Sequence, residues 1–268
     1  MIIHNFDPVF IDFGIFQIRW YSLSYIFGII FGWLYAIQII KKMPKNNDQV
    51  KLEIAQFGDL IFYIILGIII GGRLGYIFFY NFDFYSQNVF EMFKIWNGGM
   101  SFHGGLVGLV IATFIFSKIS KTSFFHFTDL IACAAPIGIF LGRVANFING
   151  ELYGKTSTLP WAIIFPEGGN VPRHPSQIYE AILEGLILFL IIRFFAIKKR
   201  LLLKRGQISA TFLILYSIFR IFSESFRMPD EQVGYFFNYF SMGVLLSIVT
   251  LLAGFLIVFF NKKNEQDN

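Results

Sequence analysis

FGDLIFYIILGIIIGGRLGYIFFY, residues 57–80, decides the fold. Its only charges are Asp59 and Arg73, and coiled as a helix it would reach roughly 36 Å at about 1.5 Å per residue. The hydrocarbon core of a bilayer needs about 20 such residues, so the stretch reads as a membrane span. Working outward, six more apolar runs appear, at roughly 17–40, 98–117, 127–149, 176–197, 207–227 and 236–260. The composition agrees: 56% of the 268 residues are apolar, 19% aromatic and 15% charged. Those values exclude a disordered chain, a collagen, a disulfide-stapled secreted domain and an ordinary cytosolic enzyme. The single cysteine, Cys133, excludes an internal disulfide and reads as a small packing residue. The first run follows MIIHNFDPVFIDFG, which has no Lys or Arg, so it reads as a retained helix and not a cleaved signal peptide. The expected fold is an all-α integral membrane protein with seven transmembrane helices.

The charges orient it. Of 22 Lys and Arg residues, thirteen fall in the segments 41–56, 118–125, 198–205 and 261–268. The opposite connections hold only Lys94, Lys155 and Arg173. That asymmetry puts the N-terminus outside and the C-terminus in the cytoplasm. It also explains the net charge of +5 without nucleic acid. The chain is expected to form one membrane domain over 1–268. An outer interfacial arm covers 81–97 (NFDFYSQNVFEMFKIWN), and a small irregular outer cap covers 150–175, between the fourth and fifth helices. Elaboration outside and short basic loops inside place the working face outside.

Six arginines lie in or beside the spans. Arg19 and Arg193 are near enough to helix ends to snorkel. Arg227 closes the sixth helix, while Arg73, Arg143 and Arg220 lie deeper and need a polar partner or a wet cavity. Polar residues also gather on single helix faces: Tyr21 and Tyr25 on the first helix, Arg143 and Asn146 on the fourth, Gln177, Glu180 and Glu184 on the fifth, and Tyr216, Arg220, Glu224 and Arg227 on the sixth. Tyr25, His103, Arg143, Glu180 and Arg220 all fall roughly 5–12 Å below the outer end of their helices. Two arginines in one shallow layer suit a phosphate through bidentate hydrogen bonds. The residues alone therefore read as an outer-leaflet phospholipid site with His103 as a candidate base. Each has a structural alternative. His103 among its glycines could shape a helix start; Arg220–Glu224, Arg143–Glu151 and Asp59–Arg73 could be ion pairs. Gly67, Gly71 and Gly75, with Gly28 and Gly32 and with Gly138 and Gly142, read as packing stripes.

Three stretches carry a resemblance. MSFHGGLVG (100–108), GRVANFINGELYG (142–154) and FRMPDEQVG (226–234) are similar to motifs of the bacterial phosphatidylglycerol–prolipoprotein diacylglyceryl transferase family. RHPSQIYEAILEG (173–185) and WYSLSY (20–25) also fit; Tyr153 stands where the family signature often has tryptophan. The resemblance implies transfer of the diacylglyceryl group of phosphatidylglycerol to the lipobox cysteine thiol of a prolipoprotein. A thioether forms and glycerol 1-phosphate leaves, in the first step of lipoprotein maturation. It carries over Arg143 and Arg220 as essential arginines and Tyr25, His103, Asn146, Glu151 and Gly154 as supporting positions. Taken with the placement of the residues, the expected catalytic set is His103, Arg143 and Arg220, and the expected substrate contacts are Tyr25, Arg143, Asn146, Glu151, Gly154, Tyr216, Glu224 and Arg227. In that scheme Glu151 and Glu224 orient the arginines. The expected partners are phosphatidylglycerol, the prolipoprotein signal peptide and membrane lipids, with no cofactor or metal; His4, His103, His126 and His174 make no ligand cluster. The expected location is the bacterial plasma membrane, with the site near the periplasmic leaflet. A transporter or flippase of an anionic lipid, or a lipid-binding receptor, would be the competing classes. Oligomeric state is open.

Overall fold

Long apolar stretches become long helices because the backbone's polar groups must be satisfied within the segment when lipid is the solvent. The computed structural model describes residues 2–44, 47–228, 235–236 and 240–266. Most of the FRMPDEQVG stretch, residues 229–234, lies outside the described residues. Contacts divide the chain into two compact units, Met1–Ile39 with Asp129–Asn268, and Ile40–Thr128.

Five helices are long and apolar enough to cross a bilayer: Trp20–Lys42, Asp48–Tyr80, Phe102–Ile119, Phe124–Ile148 and Met242–Lys262. They lie in α1 (Trp20–Lys42), α2 (Asn47–Tyr80), α4 (Phe102–Ile119), α5 (Phe124–Ile148) and α9 (Met242–Gln266), with the short α3 at Phe82–Gln87. The other two expected runs are also helical but fall short of that standard. One is α6 (Ser176–Glu180), continued through π-helical turns at Ala181–Ile187 into α7 (Leu188–Arg193) and Phe194–Lys198. The other is α8 (Gln207–Glu224), whose hydropathy is lowered by Gln207, Arg220 and Glu224. Helix α2 starts ten residues before the expected boundary at 57, because 47–56 holds no Gly or Pro and Asp48 suits a first turn. Helix α4 starts at 102 and not 98: Gly98 and Gly99 take positive φ, and Ser101 Oγ accepts from Gly104 N as the N-cap.

In the unit Ile40–Thr128, α2 and α4 meet through glycines. A Cβ on Gly71 would stand 2.4 Å from Gly104 O, and one on Gly108 would stand 1.9 Å from Gly67 O. The obstacle is backbone, so no side chain can yield. Gly108→Ala is expected to force the helices apart and destabilise the protein by about 1–3 kcal/mol, the range for overpacking. Thermal unfolding in detergent would show it as a lower midpoint, and an unchanged midpoint would deny the close packing.

The same unit corrects the Asp59–Arg73 pairing. Arg73 is 5% exposed and spends its donors on backbone carbonyls of the segment that follows α3. Nε donates to Met92 O at 2.9 Å, Nη2 to Glu91 O at 2.6 Å and Lys94 O at 3.2 Å, and Nη1 to Gly98 O and to Gly99 O at 3.2 Å. Its guanidinium also lies 5.1 Å from the Tyr85 ring centroid. A buried arginine in a lipid-facing protein needs acceptors, and irregular backbone needs donors. Each supplies the other, and the 81–97 segment is held in place.

In the other unit, the segment 150–175 joins a three-stranded sheet. β1 (Ile2–Ile3) pairs in parallel with β4 (Ile163–Ile164), which pairs antiparallel with β5 (Pro172–Arg173). A hairpin of β2 (Val9–Asp12) and β3 (Gln17–Arg19) leads into α1. His4 Nε2 lies 2.6 Å from Phe147 O, so the N-terminal strand is fastened to the end of α5. At the far end of this unit, the buried Asp129 carboxylate accepts from Gly206 N at 2.6 Å, Ser209 N at 2.7 Å and Ser209 Oγ at 2.7 Å, capping the start of α8. Helices α8 and α9 then pack side by side, with Ser217 Oγ 2.7 Å from Thr250 Oγ1. The short pairs β6 (Tyr235–Phe236) and β7 (Phe240–Ser241) occupy residues expected at the start of the last helix, which begins at Met242.

Candidate active site: an arginine–glutamate cluster

Three elements of the larger unit converge. The last turns of α5 bring Arg143 and Asn146. The helix over 176–198 brings Gln177, Glu180 and Glu184, with Glu184 inside its first π-helical turn, a feature often found at functional sites. The end of α8 brings Tyr216, Arg220 and Glu224 at intervals of four, and Arg227 follows where the chain leaves the helix to bridge Gly154.

Glu180 is the hub. Its Oε2 lies 2.9 Å from Arg143 Nη1, and its Oε1 lies 2.8 Å from Arg220 Nη1 and 3.4 Å from Arg227 Nη1. Glu184 adds Oε2 at 3.2 Å from Arg143 Nη2 and Oε1 at 3.5 Å from Arg220 Nη1. Arg220 Nη2 also pairs with Glu224 Oε1, while Glu224 Oε2 accepts from Ser241 Oγ at 2.7 Å. Both central glutamate side chains are 0% exposed; Arg143 is 18% and Arg220 11% exposed. Arginines this deep persist only with partners in place. Three guanidinium groups face three carboxylates, so these six side chains sum to neutrality. Tyr216 stands beside Glu184 and Arg220.

This arrangement corrects one expected contact. Arg143 pairs with Glu180 and Glu184, whereas Glu151 accepts from Asn146 Nδ2 at 2.7 Å and from Asn149 Nδ2 at 3.4 Å. Glu151 therefore orients the end of α5 and not an arginine, while Glu224 does hold Arg220. Gln177 Nε2 donates to Glu151 O at 2.6 Å, tying the loop to the helix that carries the glutamates.

The remaining expected residues are spread more widely. Gly154 is a close-approach position: a Cβ there would stand 2.5 Å from Phe226 O and 2.7 Å from His174 O. Tyr25 is an exposed residue of α1, its hydroxyl 3.2 Å from that of Tyr21. His103 lies in the first turn of α4, in the other unit, with an exposed side chain.

Two positions central to the geometry were given no chemical role from the sequence: Glu180, which was placed in the shallow polar layer, and Glu184. Their shared face with Gln177 was visible in the sequence, and neutrality was the signal that could have singled them out. Gly243 is a third. A Cβ there would stand 2.3 Å from Glu224 Oε1 and 3.2 Å from Arg220 Nη2, so only glycine admits this ion pair.

Chemically, the cluster offers fixed guanidinium forks. A guanidinium has five N–H donors, and Arg143 makes two glutamate contacts, so it keeps donors without partners among the described residues. Arg143 is the more exposed of the two central arginines.

Comparisons with known proteins bear on the chemistry. The family model described as prolipoprotein diacylglyceryl transferase matches residues 8–260. The chain is similar to proteins named phosphatidylglycerol–prolipoprotein diacylglyceryl transferase. That of Rickettsia bellii (strain OSU 85-389) is 46% identical over 258 residues, covering 96% of each chain. That of Rickettsia canadensis (strain McKiel) is 47% identical over 254 residues, covering 95% of this chain and 96% of the relative. That of Nitrobacter hamburgensis (strain DSM 10229 / NCIMB 13809 / X14) is 46% identical over 255 residues, covering 94% and 87%.

Proposed function

Since the chain belongs to the prolipoprotein diacylglyceryl transferase family, we infer that it is the transferase acting on phosphatidylglycerol and prolipoprotein, and that the arginine–glutamate cluster is where the lipid phosphate is held. The observation that carries the second part is the pairing of Arg143 and Arg220 through one fully buried carboxylate, Glu180. Family membership also sets aside the transporter, flippase and receptor readings.

In the reaction, the acceptor thiol, taken as the lipobox cysteine, loses its proton to a base. The sulfur attacks the diacylglyceryl carbon bonded to the phosphate oxygen. A C–S bond forms, the C–O bond breaks, and glycerol 1-phosphate leaves with both bonding electrons on its oxygen. Charge grows on the phosphate as that bond breaks. Guanidinium groups already fixed by Glu180, Glu184 and Glu224 meet it without reorganising, which is where preorganised donors are most effective.

Because the six side chains sum to neutrality, the site works through directed N–H groups more than through net positive charge. A neutral cluster gives little help in ionising a thiol of pKa about 8.5. A separate base is therefore needed, and His103 is the residue we assign, with Tyr25 and Asn146 as hydrogen-bonding groups for ester or glycerol oxygens. The positive-inside asymmetry supports an N-terminus outside the bacterial plasma membrane, with all seven helical stretches spanning it. In that orientation the 81–97 arm and the 150–175 cap lie on the periplasmic side.

The test uses purified protein in vesicles containing phosphatidylglycerol, with a lipobox peptide bearing a free cysteine. Wild type should add one diacylglyceryl mass to the peptide. His103→Gln should cut turnover by about 10²–10⁴-fold, the usual worth of a general base. Its rate should rise with pH as the peptide thiol ionises unaided. Near-normal turnover with an unchanged pH profile would remove His103 as the base.

A further inference from the structure

Glu224 is held from two sides, and the second is supplied by a residue outside the arginine–glutamate cluster. Arg220 Nη2 pairs with its Oε1, and Ser241 Oγ lies 2.7 Å from its Oε2. Glu224 and Ser241 are both buried. Ser241 stands immediately before α9, and its Oγ lies 3.3 Å from Val244 N, in the third residue of that helix. It is therefore the N-cap of α9.

The direction of each bond follows from what the groups can do. A backbone N–H only donates and an ionised carboxylate only accepts. The Ser241 oxygen thus accepts from Val244 N–H and gives its one proton to Glu224 Oε2. The first turn of α9 also faces this carboxylate, because a Cβ on Gly243 would stand 2.3 Å from Glu224 Oε1. A helix N-terminus favours negative charge, so the start of α9 and the Ser241 hydroxyl fix the carboxylate together.

That arrangement decides which Arg220 donors stay open. Nη1 faces Glu180 Oε1 at 2.8 Å and Glu184 Oε1 at 3.5 Å, and Nη2 meets Glu224 Oε1. The Nε–H and the second Nη2–H have no partner among the described residues. A Glu224 carboxylate released from Ser241 could turn and take Nε–H and Nη2–H together, in the two-pronged geometry that carboxylates and guanidinium groups favour. A phosphate would then find the same fork occupied.

We propose that Ser241 is a positioning residue for transfer: its hydroxyl restricts Glu224 to a single contact with Arg220 and so leaves the Arg220 fork open to the lipid phosphate. The identity of the phosphate rests on the transferase reading, whereas the effect of Ser241 on Arg220 does not.

Capping and positioning are separated by Ser241→Gly. Glycine is tolerated at an N-cap with little loss, adds no charge beside Glu224 and has no proton to give it. With vesicles containing phosphatidylglycerol and the lipobox peptide, Ser241→Gly should lower kcat by about 10–100-fold, the worth of a hydrogen bond to a charged group. The peptide KM should stay unchanged. The loss falls on kcat because the charge that the fork meets grows as the C–O bond breaks. Ser241→Thr keeps the hydroxyl and should restore most of the rate. Wild-type kcat in Ser241→Gly would reduce Ser241 to a helix cap and overturn the proposal.

A second arm needs no turnover. Protein labelled with ¹⁵N-arginine is placed in phosphatidylcholine nanodiscs without substrate, and the Arg220 Nε–H resonance is assigned by its absence in Arg220→Lys. Ser241→Gly should move that resonance downfield as Glu224 takes the proton, and Ser241→Thr should leave it in place. Ser241→Ala loses the same hydroxyl and serves here where Ser241→Gly does not fold. An unmoved resonance would overturn the proposal. A wild type that transfers nothing would sink the transferase reading alone, since the resonance still reports on Ser241.

Discussion

Arg143→Ala is expected to lower transfer by at least about 10²–10³-fold, the usual effect of deleting one preorganised donor to a developing oxyanion, while the helices remain folded. The reason lies in how the charges are shared. Arg143 is the more exposed of the two central arginines and contacts two glutamates. Without it, Glu180 keeps Arg220 at 2.8 Å and Arg227 at 3.4 Å, and Glu184 keeps Arg220 at 3.5 Å. Each carboxylate keeps a guanidinium contact, but three carboxylates then share two guanidinium groups, so a lower thermal midpoint should accompany the loss of turnover. Arg143→Lys separates charge from geometry. An ammonium keeps the charge but cannot present a planar fork to two carboxylates and a phosphate together, so it should recover stability and little activity. An Arg143→Ala protein with normal turnover would remove the phosphate-holding role.

Glu180→Gln is expected to cost more stability, which fails along with activity. The Glu180 side chain is fully buried and contacts three arginines at 2.8–3.4 Å. Its amide counterpart has one acceptor oxygen and no charge, leaving three guanidinium groups with two carboxylates. Removing one partner of a buried ion pair costs about 3–5 kcal/mol. A fall of that size would show as a large drop in midpoint and as loss of the folded fraction on extraction. Glu184→Gln should fall less, because Glu184 contacts only Arg143 and Arg220, one of them at 3.5 Å. If Glu180→Gln were as stable as wild type, Glu180 would not be the hub.

How much of this was legible in the sequence differs by feature. Long apolar runs and the placement of Lys and Arg are local properties, and they gave the helices to within a few residues at most ends. The last helix is displaced by six residues at each end, and the largest exception, the start of α2, was hidden because 47–56 is polar yet entirely compatible with a helix. The depth of Arg143 and Arg220 was legible too, since a charge within an apolar run is conspicuous. What a linear reading lacks is the knowledge of which faces meet. Glu180 and Glu184 stand 36–41 positions from Arg143 and Arg220, and only packing of α5, the 176–198 helix and α8 makes them partners. Glu151 seemed the natural partner of Arg143 by proximity, but the positive φ at Gly150 turns the chain so that its carboxylate meets Asn146. Arg73 misled for a similar reason. Side-chain carboxylates can be counted in a sequence, whereas the five carbonyls that hold Arg73 exist only once the segment after α3 has folded back.

The central claim is that guanidinium groups stabilise a phosphate leaving from carbon, and one isotope experiment meets it directly. Phosphatidylglycerol is prepared with ¹⁸O in the bridging oxygen between the diacylglyceryl carbon and phosphorus, then incubated with the protein and the lipobox peptide. Mass spectrometry should find one diacylglyceryl group on the peptide for each glycerol 1-phosphate released, with the heavy oxygen in the glycerol 1-phosphate. Heavy oxygen retained on the diacylglyceryl product, or a peptide that gains no mass while lipid binding is confirmed, would contradict it.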